Sequence, residues 1–230
     1  MGTLYAGVSG FSYPSWRGSF YPANAKPARF LHLYAEQLPS VELNSTFYQL
    51  PSEERLLGWA RATPPGFRFA VKMSRRITHF GELALAGTFC ERVRALGDRL
   101  GPVLVQLPPS RKRDDGLLRL LIDSLDPALS YAFEFRHDSW NEAEIDGMLF
   151  DRGAARVGSL AGAAAFRYLR LREPPYDEAA LAAWAERLRQ VLAVADVYCY
   201  FKHEDEPTGP RYAARLTELA GLEGDERPRV

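Results

Sequence analysis

Along this chain, short apolar runs alternate with longer stretches in which apolar residues recur every three or four positions. The short runs are VELNSTF (41–47), FRFAVKMS (67–74), PVLVQLPP (102–109), YAFEFRH (131–137), FRYLRLR (166–172) and VYCYFKH (197–203), preceded by LYAGVSGF (4–11). They read as β-strands. Strand side chains alternate faces, so Glu42 with Asn44, Ala70 with Lys72, Glu134 with Arg136, and Tyr168 with Arg170 each share one face. Val41, Leu43, Val71, Val105, Phe133, Phe135, Leu169 and Phe201 take the other. A solvated sheet face is polar along its whole length. Here polarity gathers where each run ends, as it does at a barrel rim.

The longer stretches predict helices at 28–38, 52–62, 87–100, 115–125, 141–150, 177–193 and 212–222, with Ser52, Asn141 and Asp177 as caps or breakers. Strand then helix repeats throughout, which implies parallel strands joined by right-handed crossovers. The fold class is therefore α/β. Strand positions around Val8, Leu43, Val71, Val105, Phe133, Leu169 and Phe201 favour a TIM-like (β/α) barrel of seven to eight strands over an open sheet. GVSGFSYPSW after the first strand lacks the glycine-rich phosphate turn of dinucleotide-binding sheets. ARVGSL (155–160) supplies a sixth strand, but GAAA leaves almost no room before FRYLRL, so the sixth helix is expected to be thin or missing.

Composition narrows this picture little. With 230 residues, 47% hydrophobic and 25% charged, the chain suits one domain over 1–222, with 223–230 as a flexible tail. Lys plus Arg equals Asp plus Glu at 29 each, so no global basic field argues for nucleic acid as partner. Cys90 and Cys199 have no metal-type spacing and read as buried thiols in a reducing cytoplasm. The expected location is cytoplasmic: the start lacks a signal-peptide pattern, and no apolar run approaches the roughly 20 residues that span a bilayer.

GVSGFSYPSWRGSFYP (7–22), VELNSTFYQLP (41–51), FRFAVKMSRRITH (67–79), GPVLVQLPPS (101–110), YAFEFRHDSW (131–140), YLRLR (168–172) and VYCYFKHE (197–204) together resemble the YecE-like family, known as domain of unknown function 72. The resemblance implies a TIM-like barrel whose biochemical role is not settled. Its members have been likened by fold to metal-dependent endonucleases and to sugar isomerases. The last third departs from the family pattern: Arg172-Glu173 stands for His-Gly, Lys202-His203 for a pair of asparagines, and an Asp-Ser near the sixth strand is absent.

Barrel active sites sit at the C-terminal strand ends. The convergent set is Ser9, Glu42, Asn44, Lys72, Gln106, Glu134, Arg136, Arg170 and Lys202, with four positive and two negative charges. A small anionic ligand follows, a phosphorylated or carboxylated molecule of sugar or nucleotide type or a nucleic-acid end, held by Arg and Lys and by the hydrogen-bonding Ser9, Asn44 and Gln106. Trp16 and Trp140 are candidate stacking walls for a sugar or nucleobase, along with Phe11, Tyr13, Phe47 and Tyr48. Glu42, Lys72, Glu134 and His137 are the candidate catalytic groups for hydrolysis or isomerisation.

Three alternatives stand beside that reading. Glu–Arg and Glu–Lys pairs can simply neutralise one another inside the barrel, leaving a non-catalytic ligand- or nucleic-acid-binding module. Glu42 and Glu134 with His79, His137, Asp138 and His203 can hold a divalent metal for a phosphodiesterase or nuclease, although Lys72 and Arg136 compete for those carboxylates. No cofactor is otherwise expected. Lys72 also invites imine chemistry, against which a neighbouring carboxylate is expected to keep it protonated.

Overall fold

The computed structural model describes residues 1–202 and 206–221. Eight parallel strands form one sheet: β1 (Leu4–Val8), β2 (Ser40–Leu43), β3 (Arg68–Lys72), β4 (Leu100–Gln106), β5 (Tyr131–Glu134), β6 (Ala155–Arg156), β7 (Phe166–Leu171) and β8 (Asp196–Phe201). Their order is β6-β5-β4-β3-β2-β1-β8-β7, so β1 joins β8 and the sheet curls into a nearly closed barrel. The seam lies between β6 and β7. There the Gly158 N–H donates to the Tyr168 carbonyl at 2.9 Å.

Around the sheet run α1 (Phe30–Ala35), α2 (Ser45–Tyr48), α3 (Glu53–Arg61), α4 (Arg75–Thr78), α5 (Leu85–Val93), α6 (Asp115–Asp123), α7 (Ala143–Arg152), α8 (Glu178–Leu192) and α9 (Thr208–Leu219). Helical spacing decides which face each one buries. In α8, Leu181, Ala185, Leu188 and Leu192 recur every three or four positions and all are buried. Ser52, Asp114 and Asp177 accept from backbone N–H groups of the first turns of α3, α6 and α8. Asn141 does not cap α7, which begins two residues later with Glu142 at its N-cap. Gly153 ends α7 in the left-handed conformation, φ 68°, where a side chain would be strained. The expected tail at 223–230 and His203 lie outside the described residues.

Two strands stop earlier than their apolar runs. Asn44 adopts helical backbone angles (φ −92°, ψ −16°) and opens α2, so the run at 41–47 is strand only to Leu43. β5 likewise ends at Glu134, and Arg136 lies beyond it. Between β6 and β7 there is no helix among the described residues, as the short spacing predicts. A side chain takes the helix's place. Buried Arg167 donates to the carbonyls of Leu160 at 2.8 Å, Gly162 at 2.6 Å, Ala164 at 2.7 Å and Phe166 at 3.1 Å. Backbone acceptors that helix N–H groups would satisfy are met by one guanidinium.

Apolar side chains form two separate cores. The larger lies between the sheet and the helices and holds Val8, Val41, Leu43, Val71, Val105, Phe133, Leu169 and Phe201. Cys90 in α5 and Cys199 in β8 are free and buried. The smaller core fills the barrel interior: Ala70, Leu104, Ala132 and Ala155 on one side face Phe166, Tyr168, Tyr198 and Tyr200 on the other. Small residues opposite large ones let the rings cross the barrel axis. Tyr5 stacks on Tyr198 with centroids 4.7 Å apart, and the Tyr200 hydroxyl meets Ser40 Oγ at 2.6 Å. This aromatic plug closes the barrel below its C-terminal mouth. No helix among the described residues is long and apolar enough to cross a membrane.

Replacing Arg167 by Met leaves carbonyls of the 157–165 loop without their charged donor, so the variant should lose roughly 2 to 4 kcal/mol of unfolding free energy. Urea denaturation gives the loss, and hydrogen exchange should speed up first in that loop. A change below about 0.5 kcal/mol, the size of an ordinary surface substitution, would show that the guanidinium is not what replaces the helix.

Candidate functional site

The plug forms the floor of a polar network built from successive strand ends. Glu42, on β2, is fully buried. Its Oε1 accepts from Ser9 Oγ at 2.8 Å, Asn44 Nδ2 at 3.1 Å and Arg170 at 2.9 Å, while Oε2 accepts from the Tyr168 hydroxyl at 2.8 Å. Burial alone would raise the pKa of this carboxyl. The charge of Arg170 and the three hydrogen bonds from Ser9, Tyr168 and Arg170 outweigh it and hold Glu42 below the usual carboxylate range.

Arg170, on β7, spans the barrel. Its second terminal nitrogen donates to Glu134 Oε2, on β5, at 2.7 Å, so one guanidinium joins two carboxylates from opposite walls. Desolvation works against the charge, and the two carboxylates more than restore it, raising the Arg170 pKa. Arg170 Nε is the one buried side-chain polar atom without a partner among the described residues. Gln106, on β4, donates through Nε2 to the same Glu134 oxygen and accepts through Oε1 from Lys72 Nζ at 2.7 Å. A flipped amide would set NH2 against ammonium and oxygen against carboxylate, so its neighbours fix this orientation. The chain of contacts runs Lys72, Gln106, Glu134, Arg170, Glu42.

Lys72 therefore differs from its sequence-based expectation. It has no carboxylate partner within ion-pairing distance among the described residues, because Arg170 holds both acids. Its ammonium stands over the Phe47 ring, 4.0 Å from the centroid, and Thr46 Oγ1 pins the Lys72 carbonyl to the α2 turn at 2.7 Å. Burial and then the Arg170 charge depress its pKa from 10.5 to about 8, with Glu42 and Glu134 opposing and Arg172 assisting. The predicted neighbour is present but spoken for.

Basic groups crowd the mouth above this floor. His79 packs edge-on to Phe47 at 5.0 Å and shares a hydrogen bond with Thr78 Oγ1 at 2.9 Å. Burial, then the charges of Lys72, Arg111, Arg136 and Arg75, lower its pKa. Arg172 is lowered by burial, then by Arg170 and Arg136 against the pull of Glu134 and Glu42. Arg136 and Lys202 are exposed beyond the ends of β5 and β8. Neither these two nor Arg172 forms an ion pair among the described residues.

The structure thus brings together Ser9, Glu42, Asn44, Lys72, Gln106, Glu134 and Arg170, and leaves Arg136 and Lys202 at the outer edge. Three expected site residues make other contacts. Trp16 is fully buried among Tyr13, Phe20 and Tyr21, since the loop after β1 folds back onto the outer core. Trp140 is fully buried, stacks on Phe135 at 4.8 Å and donates Nε1 to the Arg111 carbonyl at 2.7 Å. His137 caps the Asp138–Trp140 turn, its Nδ1 accepting from the Ser139 N–H at 3.1 Å. The sequence reading missed the role of Tyr168, although its two-residue spacing from Arg170 marks it as facing inward. It also missed Arg172 and Phe47 as neighbours of Lys72. Among the described residues no three His, Cys, Asp or Glu side chains converge as metal ligands would.

Fold and site together define a TIM-like barrel with a charge-balanced floor and a basic mouth. The family described as protein of unknown function DUF72 matches over residues 5–229, and this chain belongs to it. It is 30% identical over 164 residues to the UPF0759 protein YecE of Escherichia coli K12, covering 67% of this chain and 58% of that protein. To the UPF0759 protein YunF of Bacillus subtilis 168 it is 27% identical over 150 residues, 60% of this chain and 52% of that one. The chain spans little more than half the length of these relatives. A DUF72 family protein from Thermotoga maritima superposes with a TM-score of 0.82 at 25% identity, covering 96% of this chain and 100% of that one. D-psicose 3-epimerase of Clostridium cellulolyticum H10, solved with D-tagatose, gives 0.58 at 10% identity over 96% and 98% of the two chains. That second likeness is of fold alone.

The depressed Lys72 pKa fixes a pH signature. Between about 8 and 10.5 the unfolded chain holds the Lys72 proton more tightly than the folded one, so raising pH through this window favours folding. Wild type should gain stability relative to Lys72→Met across that interval, with the same groups facing the position in both: Glu42, Glu134, Arg170, Arg172 and His79. Urea denaturation of both proteins at each end of the window measures the gain. A stability difference independent of pH would mean that Lys72 titrates as a solvated lysine.

Proposed function

We propose that the barrel mouth binds a small anion-bearing ligand, a phosphate or carboxylate group attached to a hydroxylated body. The observation that carries this reading is the mutual crowding of cations. Beside the larger effect of burial, Arg170 and then Arg172 depress Lys72 against the pull of Glu42 and Glu134, Arg170 and Arg136 depress Arg172, and Lys72, Arg111 and Arg136 depress His79. An anion set among them relieves that repulsion, and Arg offers it paired planar donors. The two acids below share Arg170, and the one negative charge left over is balanced by Lys72. The positive surplus lies above them, on Arg136, Arg172 and Lys202.

The surroundings suit a polar ligand body as well. Asn44 and Gln106 carry amides at the same level, and Tyr48 is exposed at the end of α2. Catalysis by hydrolysis or isomerisation belongs to this reading as a second step, for which Lys72, its pKa brought down to about 8, is a candidate proton-transfer group.

Thermal-shift titration with inorganic phosphate, glycerol phosphate and citrate, against chloride at matched ionic strength, tests the reading. Wild type should be stabilised by at least one of the three, and Arg172→Ala should lose most of that stabilisation while folding normally. Equal melting temperatures in all four salts would overturn it.

A further inference from the structure

We propose that Lys72 is an amine nucleophile, whose Nζ condenses with the carbonyl carbon of an aldehyde or ketone carrying a phosphate or carboxylate group. The placement of the charged end rests on the anion reading of the mouth; the bond itself does not. Lys72 lies at the end of β3, inside the barrel, with 9% of its surface still accessible, whereas Glu42 beside it has none. The amine is held at one point by Gln106 Oε1, 2.7 Å away, and at another by the face of Phe47. A neutral amide oxygen accepts from NH3⁺ and, more weakly, from NH2. Loss of the Lys72 proton therefore breaks no ion pair and leaves the side chain in place.

The obstacle to such chemistry is an acid beside the amine, and the structure removes it. Glu134 Oε2 accepts from Gln106 and Arg170, and Glu42 is filled by Ser9, Asn44, Tyr168 and Arg170. Desolvation and the like charge of Arg170 enlarge the share of neutral amine, the reactive form, against the pull of Glu42 and Glu134. The proton that Lys72 releases leaves to solvent through the mouth, where the residue keeps 9% of its surface accessible.

The step balances without a redox partner. The Nζ lone pair forms the C–N bond as the carbonyl π pair moves onto oxygen, which takes a proton. The oxygen then leaves as water, the two hydrogens of the neutral amine depart in that water overall, and the nitrogen closes the C=N bond. An imine on a hydroxylated carbonyl compound acidifies the adjacent C–H, so enolisation is the class of reaction such a site supports.

The chain has few lysines, Lys26, Lys72, Lys112 and Lys202, which makes the outcome easy to map. Wild-type protein is incubated with glycolaldehyde phosphate and sodium cyanoborohydride at neutral pH, and the reduced adduct is located by peptide mass spectrometry. Lys72 should label about tenfold or more faster than the exposed Lys26 and Lys112, as a larger neutral-amine fraction requires. Inorganic phosphate should slow that labelling. Lys72 labelling no faster than Lys26 and Lys112 would overturn the proposal. The two readings fail separately: if phosphate stabilises both wild type and Lys72→Arg but Lys72 is not labelled preferentially, the covalent step falls and the anion site stands. If Lys72 labels fast with or without phosphate, the amine is the nucleophile and the anion site is lost.

Discussion

One guanidinium between two buried carboxylates organises this barrel. Arg170 reaches from β7 to Glu42 on β2 and Glu134 on β5, strands that are far apart in the sheet order and close only because the sheet is curled. A buried acid without its partner costs several kcal/mol, so the pairings define the closed arrangement as much as they stabilise it. Ser9, Asn44, Tyr168 and Gln106 add further donors to the two carboxylates, which is how buried charge becomes tolerable, while Arg170 Nε alone stays without a partner among the described residues. The seam between β6 and β7, where strand pairing is thinnest, lies on the wall that Arg170 and Arg167 secure from inside and outside.

That same arrangement sets the properties of the mouth. Because Arg170 pairs with both acids, Lys72 is left with a neutral partner and a cationic neighbour, and Arg172 and Arg136 form no ion pair among the described residues. The aromatic plug beneath keeps water out of the floor, which strengthens each of these electrostatic effects. A reactive amine and an anion-attracting rim are then two consequences of one pairing choice rather than separate features.

The strand and helix order, the barrel and the missing sixth helix were legible from periodicity and spacing, because alternation at two and at 3.6 residues has few structural solutions. Inward parity also brought out Glu42, Lys72, Gln106, Glu134 and Arg170. Periodicity carries no information on which charge pairs with which, and there the reading went astray: Lys72 was given a carboxylate that Arg170 holds. Trp16, Trp140 and His137 follow strands in sequence, yet loops that fold back bury the first two and turn the third into a cap. Arg167 faces away from the mouth and has no motif; only the carbonyls left by an absent helix explain it.

The central claim, that Arg170 is the pairing on which both the floor and the mouth depend, is tested most directly by urea denaturation of Arg170→Met across the carboxylate titration range. The account predicts a loss of about 3 to 5 kcal/mol near neutral pH, from two carboxylates left buried without their cation. Glu42 is held below its ordinary pKa in the wild type, so wild-type stability falls as acid protonates it, and the gap to the variant should narrow as pH drops. A loss under about 1 kcal/mol, the worth of an exposed ion pair, with no dependence on pH would contradict it.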